Sequence, residues 1–305
     1  MTEQSKTISP EHEYLGAGKS AAYGLQHVLT MYGGIIAPPL IVGTAAGLEA
    51  YQIGLLIAAA LFVGGLATIL QTVGVKYIGA KLPLVQGVSF AGVATMVAIV
   101  TTGGGLQAVY GAVIVASLIG FFLAPYFSKI IRFFPPVVTG CVITIIGLSL
   151  LPVAVRWMMG GNPKAPEWGS VENIGLALMT LAFVICLNLS RHAAIRRLSI
   201  LLAIVLGSVL AYLFGFGDFS KVANGTWIQV PSFFAFGLPT FELTAIISML
   251  IVTLVIMTET TADIIAVGEI VGTQVDADRI SNGLRADMLS SAVAPVFGSF
   301  MQSAF

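Results

Sequence analysis

Long runs of apolar residues, separated by short charged segments, are the dominant pattern along this chain of 305 residues. A helix needs roughly 20 apolar residues to cross about 30 Å of hydrocarbon, and many of the uncharged runs approach or exceed that length. The pattern therefore predicts an all-α polytopic membrane protein with about nine spans. The predicted spans are Ala21–Leu48, Ala50–Val75, two within Leu82–Ser128, Phe133–Val155, Asn173–Ser190, Leu198–Gly217, Leu243–Gly268 and a ninth that begins at Asp287.

The uncharged stretch Leu82–Ser128 is too long for one crossing and has an unusual beginning. The cluster at 101–105 is rich in glycine and signals a turn, so we divide the stretch there. The first part starts at Pro83, alternates in polarity and carries Gln86 and Ser89, which predicts a short extended stretch followed by a half-length helix. Broken segments at membrane depth often mark a transporter's binding site; a merely kinked helix is the alternative.

The distribution of positive charge predicts the orientation of the chain. With residues 1–20 as a cytoplasmic tail and residues 218–242 as an external connection, the cytoplasmic segments hold eleven of the 14 Lys and Arg residues. The outer segments hold the other three, Arg156, Lys164 and Lys221. Because cytoplasmic loops carry an excess of Lys and Arg, we expect the N-terminus to be cytoplasmic.

The composition excludes most soluble proteins. Charged residues are 9% of the chain and apolar residues 57%, whereas about 25% of the residues in ordinary soluble domains are charged. The net charge is zero, so nothing suggests nucleic acid as a partner. Cys141 and Cys186 lie inside apolar runs and are expected to be small buried packing residues. We find no metal-binding spacing and no phosphate-binding loop, and we expect no metal, no cofactor and no enzyme activity.

Two acidic residues, Glu259 and Asp263, stand one helical turn apart late in the eighth predicted span. A carboxylate at the bilayer centre costs at least about 2.5–3.5 kcal/mol, so two on one face imply a cavity, a partner or a proton. Such a group can accept hydrogen bonds from the N–H groups of a ligand, and it can carry a proton. The alternative is that the helix ends early and both acids are cytoplasmic.

Two further residues are open to two interpretations each. His27 lies in the first span, where it is either structural or orients a neighbouring broken segment. Asp287 opens the predicted ninth span, where it is either an acid favoured by the helix dipole or part of a proton pathway. Three other acids are expected in a solvated loop: Glu269, Asp276 and Asp278.

Four stretches of sequence together resemble the nucleobase–ascorbate transporter (nucleobase:cation symporter-2) family. Gln26-His27 followed by MYGGIIAPPLIVG is similar to the first span of that family, and QGVSFAGV from Gln86 to the third. ETTADIIAVGEI from Glu259 and NGLRADMLSS from Asn282 are similar to the eighth and ninth spans. The resemblance runs from about Ala21 to the last residue and favours the xanthine and uric acid permeases of the family.

The resemblance implies a fold of fourteen spans in two inverted repeats of seven, with a base bound between short strands in spans three and ten. Residues 21–217 would form the first repeat and residues 243–305 the start of the second. It also implies symport of the base with a proton rather than sodium, a location in the plasma membrane, and a second copy of the chain as a partner in a homodimer.

Individual residues match functional positions of the family. Glu259 matches the substrate-binding glutamate of span eight, and Ser89 and Phe90 match positions of span three that contact or flank the base. Asp263 matches a position that is acidic in many purine carriers and histidine in uracil carriers, so it favours a purine. Three residues match positions tied to proton coupling or site organisation: His27, Gln86 and Asp287.

The sequence departs from the family at its end. The signature of span ten, a Gln/Glu-Asn-x-Gly run, is expected soon after Phe305, where the chain stops. We therefore expect half of the binding site to be absent and predict that this polypeptide alone does not transport. A fragment and a truncated gene are both open.

Three other functions are weighed against a purine permease. A uracil permease of the same family is the nearest. An anion transporter of the sulfate-permease type shares the implied architecture, but it would need a positive or neutral site, and Glu259 and Asp263 have the wrong sign. A membrane enzyme would need a nucleophile or a metal cluster within a span, and a passive scaffold would not need intramembrane acids.

Overall fold

The structure is a computed structural model that describes residues 15–130, 136–161, 165–217, 220 and 231–304. Most of the predicted cytoplasmic tail and about half of the predicted external connection lie outside these residues. Of the described helices, five are long and apolar enough to cross a membrane. The chain is therefore a multi-pass membrane protein, as the apolar runs predicted.

The first predicted span is a helix in two parts. Helix α1 covers Ala17–Ile35 and α2 covers Ala37–Ala45. Prolines stand at the start of α2, where a missing N–H costs little. The second span is α3, Ala50–Val73, which begins with a reciprocal cap between Glu49 and Gln52.

The third predicted span is broken in the way its sequence indicated. Strand β1, Gln86–Val88, is followed by a 3-10 turn and by the short helix α4, Val93–Ile99. A π-helical turn then ends at glycines, and Gly103 adopts a φ of 102°, which favours a residue without a side chain. Helix α5, Gly105–Ile130, forms the fourth span. The prediction of an extended stretch before a half-length helix is confirmed, and the kinked helix is excluded.

Six more α-helices, a 3-10 turn at Ala294–Phe297 and one strand complete the described chain. They are α6 (Pro136–Met158), α7 (Val171–Asn188), α8 (Ala193–Arg197), α9 (Ser199–Leu213), α10 (Leu243–Val271), α11 (Ala277–Val293) and β2 (Gln302–Ala304).

The start predicted for the ninth span, Asp287, is wrong. Helix α11 begins at Ala277, because the Asp276 side chain caps it by accepting a hydrogen bond from the Arg279 N–H (2.8 Å). Asp287 therefore lies within the helix and is not an acid at its N-terminus. The loop predicted for three acids is also shorter than expected, since Glu269 lies in α10 and Asp278 in α11, although all three side chains are exposed.

The chain divides into two compact units. The described residues of Met1–Gly24, Ile35–Ile146 and Pro231–Phe305 form the first unit, and those of Leu25–Gly34 and Gly147–Val230 form the second. In the first unit, α5 packs against both α10 and α11. In the second, α7 packs against α9. The predicted boundaries of the two sequence repeats stay a prediction. The burial predicted for Cys141 and Cys186 is wrong, since both side chains are exposed on apolar helices.

Helix packing in both units depends on glycine. A Cβ atom at Gly120 of α5 would lie 2.6 Å from the Met288 sulfur and 2.7 Å from the Thr253 methyl group, so α5 can approach α10 and α11 only without a side chain there. A Cβ atom at Gly207 of α9 would lie 2.6 Å from the Thr180 hydroxyl on α7. Small residues at such contacts are typical of helices that pack in lipid.

Candidate functional site

A pair of short strands lies in the interior of the first unit. Strands β1 and β2 are antiparallel, with Gln86 opposite Ala304 and Val88 opposite Gln302. The Ser89 N–H extends the pairing by donating to the Met301 carbonyl (2.9 Å). All residues of both strands are buried. We expected half of the binding site to be absent from the chain; both strands of this pair lie within it.

Hydroxyl groups from three helices satisfy the outer edges of the strand pair. Thr68 of α3 accepts from the Gln86 N–H (2.9 Å), and Ser291 of α11 accepts from the Gln302 N–H (2.7 Å). Thr260 of α10 accepts from the Ala304 N–H (3.4 Å). Since lipid cannot hydrogen-bond backbone groups, non-helical backbone at this depth is stable only where the protein supplies partners.

Glu259 of α10 is held at the end of strand β1. The Ser89 hydroxyl donates to Glu259 Oε2 (3.2 Å), and the same hydroxyl oxygen accepts from the Ala91 N–H (3.2 Å), which caps the 3-10 turn. Ser89 is buried, whereas Glu259 and the neighbouring Phe90 are half-buried. The structure therefore brings together the three predicted substrate-binding residues, with one side of the carboxylate bonded and part of its surface open.

Asp263 follows Glu259 by one turn of α10 and is also half-buried. Helix α10 continues to Val271, so the alternative that it ends before the two acids is wrong. No Lys, Arg or His of the described residues lies near enough to neutralise either carboxylate or Asp287.

Asp287 of α11 is fully buried and bonded to two other helices. Its Oδ2 accepts a hydrogen bond from the Thr260 hydroxyl, and its Oδ1 accepts one from Gln71 Nε2 of α3 (3.4 Å). The Gln86 side-chain amide faces the same carboxylate but does not meet the geometry of a hydrogen bond with it. The structure therefore places the Gln86 side chain close to Asp287.

His27, the remaining predicted residue, belongs to the second unit. It lies on α1, and its side chain is exposed. Its role in site organisation stays a prediction.

Sequence reasoning did not single out four buried polar residues around the strands as site residues: Gln71, Thr260, Ser291 and Gln302. A polar residue within an apolar run is the only sequence signal for them. That signal is weak, because Ser and Thr in membrane helices commonly bond the carbonyl of their own helix, as Thr261 and Thr253 do here.

The site offers acceptors and uncommitted amide groups. Both side-chain polar atoms of Gln86 and the Oε1 atom of Gln302 are buried without a hydrogen-bond partner. Buried polar groups are nearly always paired, so each exception needs an explanation. Together with the open face of Glu259, these groups fit a small polar ligand that carries both N–H and carbonyl groups.

Comparison with known proteins gives one consistent family. Residues 18–305 match the model of the Permease family, Xan_ur_permease. The uric acid permease PucK of Bacillus subtilis (strain 168) is 43% identical over 282 residues, which are 92% of this chain and 65% of PucK. The Bacillus subtilis xanthine permease is 37% identical over 95% of this chain and 66% of its own length.

The uric acid transporter UacT of Escherichia coli (strain K12) is 34% identical over 99% of this chain and 63% of UacT. The chain thus spans slightly less than two thirds of the length of these relatives.

Two solved structures share the fold. The transmembrane domain of a cyanobacterium bicarbonate transporter, BicA, superposes with a TM-score of 0.60 at 18% identity and covers 90% of this chain and 74% of BicA. The overall structure of SLC26A9 gives a TM-score of 0.54 at 14% identity and covers 93% of this chain and 49% of that one. At these identities the likeness concerns the fold alone.

Proposed function

The chain belongs to the Permease family, Xan_ur_permease, and on that premise we propose that the full-length protein transports a purine nucleobase such as xanthine or uric acid by symport with a proton. It is a transporter and not an enzyme. The observation that carries the proposal is Glu259, a half-buried carboxylate fixed by Ser89 at the end of a buried strand. A uracil permease of the same family is the second candidate.

The proposed ligand contacts follow from the chemistry of the groups. The open oxygen of Glu259 accepts hydrogen bonds from ring N–H groups of the base. The Gln86 amide NH2 group has no hydrogen-bond partner among the described residues and can donate to a base carbonyl, whereas the unpaired Oε1 of Gln302 can accept from a base N–H. Phe90, half-buried beside Ser89, supplies a ring face for stacking.

We assign the uptake of the transported proton to the carboxyl groups of Asp263 and Asp287, next to Glu259. Three carboxyl groups in a membrane interior without a Lys, Arg or His partner among the described residues are costly when charged. A proton on Asp263 or Asp287 reduces that cost and leaves Glu259 as the ionised acceptor for the base N–H groups, so binding of base and proton favour each other. Sodium is the less suited ion, because the carboxylate oxygens of Glu259 and Asp287 already accept hydrogen bonds from hydroxyl and amide donors, which would have to be displaced from those oxygens by a cation.

An anion transporter of the sulfate type is disfavoured despite the shared fold. BicA is a bicarbonate transporter, and a site for such an anion needs positive or neutral groups. Here Glu259 and Asp263 place two acidic side chains, and no basic one, in the half-buried part of α10. A negatively charged ligand is therefore repelled unless the acids are protonated first.

Location and assembly are further parts of the proposal. The excess of Lys and Arg in alternate segments supports a cytoplasmic N-terminus in the plasma membrane. The exposed apolar residues of the helices fit contact with the lipid bilayer. A homodimer is proposed from the family resemblance alone.

Uptake by cells tests this function directly. Cells that lack their own purine and uracil permeases are transformed with the full-length gene and given radiolabelled xanthine, uric acid or uracil. We expect uptake of a purine that a protonophore abolishes and that replacement of sodium by choline leaves unchanged. Uptake of uracil alone would select the second candidate, and no uptake of any base by a correctly inserted protein would contradict the proposal.

A further inference from the structure

We propose that Gln71 is a positioning residue that links the charge state of Asp287 to the backbone of residues 79–81, the segment between α3 and strand β1. We call this segment, Gly79 to Lys81, the 79–81 corner. The inference rests on one part of the proposed function, namely that Asp287 takes up a proton during the transport cycle.

Gln71 joins two groups that are otherwise separate. Its side chain has no exposed surface. Its Oε1 accepts from the Ala80 N–H (3.2 Å), and its Nε2 donates to Asp287 Oδ1 (3.4 Å). Its backbone carbonyl accepts from the Lys81 N–H (3.0 Å). One residue thus contacts both the corner and the buried acid.

The orientation of the Gln71 amide is set by what each neighbour can do. The Ala80 N–H is a donor, so it requires the amide oxygen, and the amide NH2 group must then point toward Asp287. An NH2 group cannot accept a hydrogen bond, so the link is complete only when Asp287 Oδ1 carries no proton. The other oxygen, Oδ2, accepts from Thr260, so both contacts suit the ionised acid.

A proton on Oδ1 of Asp287 therefore affects the corner. We place the proton on Oδ1 because Oδ2 receives the shorter hydrogen bond, from the Thr260 hydroxyl, which also accepts from the Ala304 N–H. If Oδ1 is protonated, two donors face each other, and the Gln71 amide must turn or withdraw. Turning it brings its NH2 group against the Ala80 N–H, which breaks the second hydrogen bond as well. The titratable groups that face Asp287 are Glu259 and Asp263 of α10. Both are acids, so neither supplies a positive charge to Asp287.

Two observations independent of the Asp287 bond support a constrained corner. Arg279 of α11 donates to the Ala80 carbonyl (2.7 Å) and the Lys81 carbonyl (3.0 Å), and the Gly79 N–H donates to the Asn282 carbonyl (2.7 Å). Lys81 adopts a φ of 54°, which is uncommon for a residue other than glycine and costs energy when its surroundings do not enforce it. The corner is therefore a place where one lost hydrogen bond matters.

Gly283 provides the space in which the link forms. A Cβ atom at this position would lie 3.3 Å from Gln71 Nε2, 3.1 Å from the Ala80 Cβ and 2.5 Å from the Ile264 Cδ1. Any side chain here would press on both ends of the link. Glycine at position 283 of α11 therefore leaves the space that the Gln71 side chain needs to reach both Ala80 and Asp287.

Cysteine labelling tests the link without requiring any cargo. A cysteine replaces the exposed Lys81 in a cysteine-free version of the full-length protein, in inside-out vesicles, and the rate of maleimide labelling is measured in acidic and alkaline buffers. Rates are normalised to Lys76→Cys, which is exposed outside the corner. We expect labelling about fivefold faster in acid after normalisation, the change that a lost hydrogen bond of ordinary strength gives.

Three variants decide the outcome. Gln71→Leu removes both bonds, so labelling becomes fast in both buffers. Gln71→Glu keeps an acceptor for the Ala80 N–H, but the new side chain can donate to Asp287 only when it is protonated. In this variant labelling is therefore faster in alkaline than in acidic buffer, the opposite of the response of the parent. The matched control is Gln107→Leu, which loses a bond to the Phe236 carbonyl far from Asp287 in sequence and keeps the response of the parent.

The inference would be overturned if Gln71→Leu and Gln71→Glu showed the same acid-dependent increase in labelling rate as the parent. It would also be overturned if Gln107→Leu lost that increase as completely as the Gln71 variants. If Gln71→Leu fails to fold, the near-isosteric Gln71→Glu still decides it through the sign of the change. Labelling needs no substrate, so a failure of base uptake and a failure of this link are separate results.

Discussion

The two compact units of the chain use polar residues in opposite ways. In the first unit, Asp287, Thr260 and Gln71 are buried and bonded to one another across three helices. In the second unit, α7 has no buried residue, and the buried residues of α9 are all small. His27, a polar residue of the second unit within an apolar run, is exposed.

This difference shows where function is to be sought in a membrane protein. An apolar helix surface is stable in contact with lipid. The helices of the second unit therefore need only small residues where they pack against each other. Buried acids and irregular backbone are costly at membrane depth, and the first unit holds both together. The cost is tolerable where a ligand or a proton occupies the site, which is why we assign the chemistry to the first unit.

The largest expected effect comes from removing the charge at the centre of the first unit. Asp287→Asn keeps the shape but replaces one acceptor oxygen by a donor, so Thr260 or Gln71 loses its bond. Bonds to charged groups contribute about 1.5–3 kcal/mol, so we expect uptake of the purine to fall about 100-fold at unchanged expression. Asp278→Asn, on the same helix but exposed, is the control, and an equal loss there would break the comparison between buried and exposed acids.

A second pair of variants compares helix contacts in the two units. Gly120→Ala forces a methyl group against Met288 and Thr253 in the first unit, and overpacking of this kind costs about 1–3 kcal/mol. Gly175→Ala in the second unit meets no atom within 4 Å and removes the flexibility of glycine from a helix. We expect a lower thermal unfolding midpoint in detergent for Gly120→Ala and an equal or higher one for Gly175→Ala. Equal destabilisation by both would show that the contact at Gly120 is not tight.

A smaller effect is expected from two neighbouring threonines of α10. Thr260→Val removes a donor to Asp287 and an acceptor for the strand residue Ala304, which we expect to cost about 1–2 kcal/mol and to alter the dependence of uptake on pH. Thr261→Val removes a hydroxyl that bonds only the Met257 carbonyl of its own helix. Both are buried, so matching unfolding midpoints and pH profiles would mean that the bond to Asp287 contributes nothing.

The smallest effect is expected at His27. Substitutions at exposed positions usually change stability by within about 0.5 kcal/mol, so His27→Ala should change the unfolding midpoint little and uptake about twofold or less. A loss of uptake comparable with that of Asp287→Asn would place the second unit in the site and remove the contrast drawn above.

Local signals in the sequence predicted the parts of the fold that depend on local chemistry. Pro83 and the alternation through Gln86 and Ser89 were sufficient for the broken third span. The spacing of Glu259 and Asp263 was sufficient for their shared face. The start of α11 was missed because Arg279, Asn282 and Arg285 lower the hydropathy of its first half, although Asp276 is a clear cap in retrospect.

The links between distant segments lay beyond sequence reasoning. Gln71 and Asp287 are 216 positions apart, and neither residue type specifies the other as a partner. Strand β2 is three residues long, too short for its alternation to stand out, and its structure depends on pairing with β1 and on Ser291 and Thr260. Such contacts follow from helix packing, which a single sequence does not encode in any local pattern.

Direct binding to the purified full-length protein is the decisive measurement for the proposed site. Radiolabelled xanthine and uric acid are titrated onto the parent, Glu259→Gln and Glu269→Gln, two identical substitutions on the same helix of which only the first touches Ser89. We expect saturable binding of at least one base to the parent and to Glu269→Gln, and a loss of about 30-fold or more in affinity for Glu259→Gln, as for removal of a buried charged partner. Equal affinity of all three proteins would contradict the assignment of Glu259 as the group that binds the base.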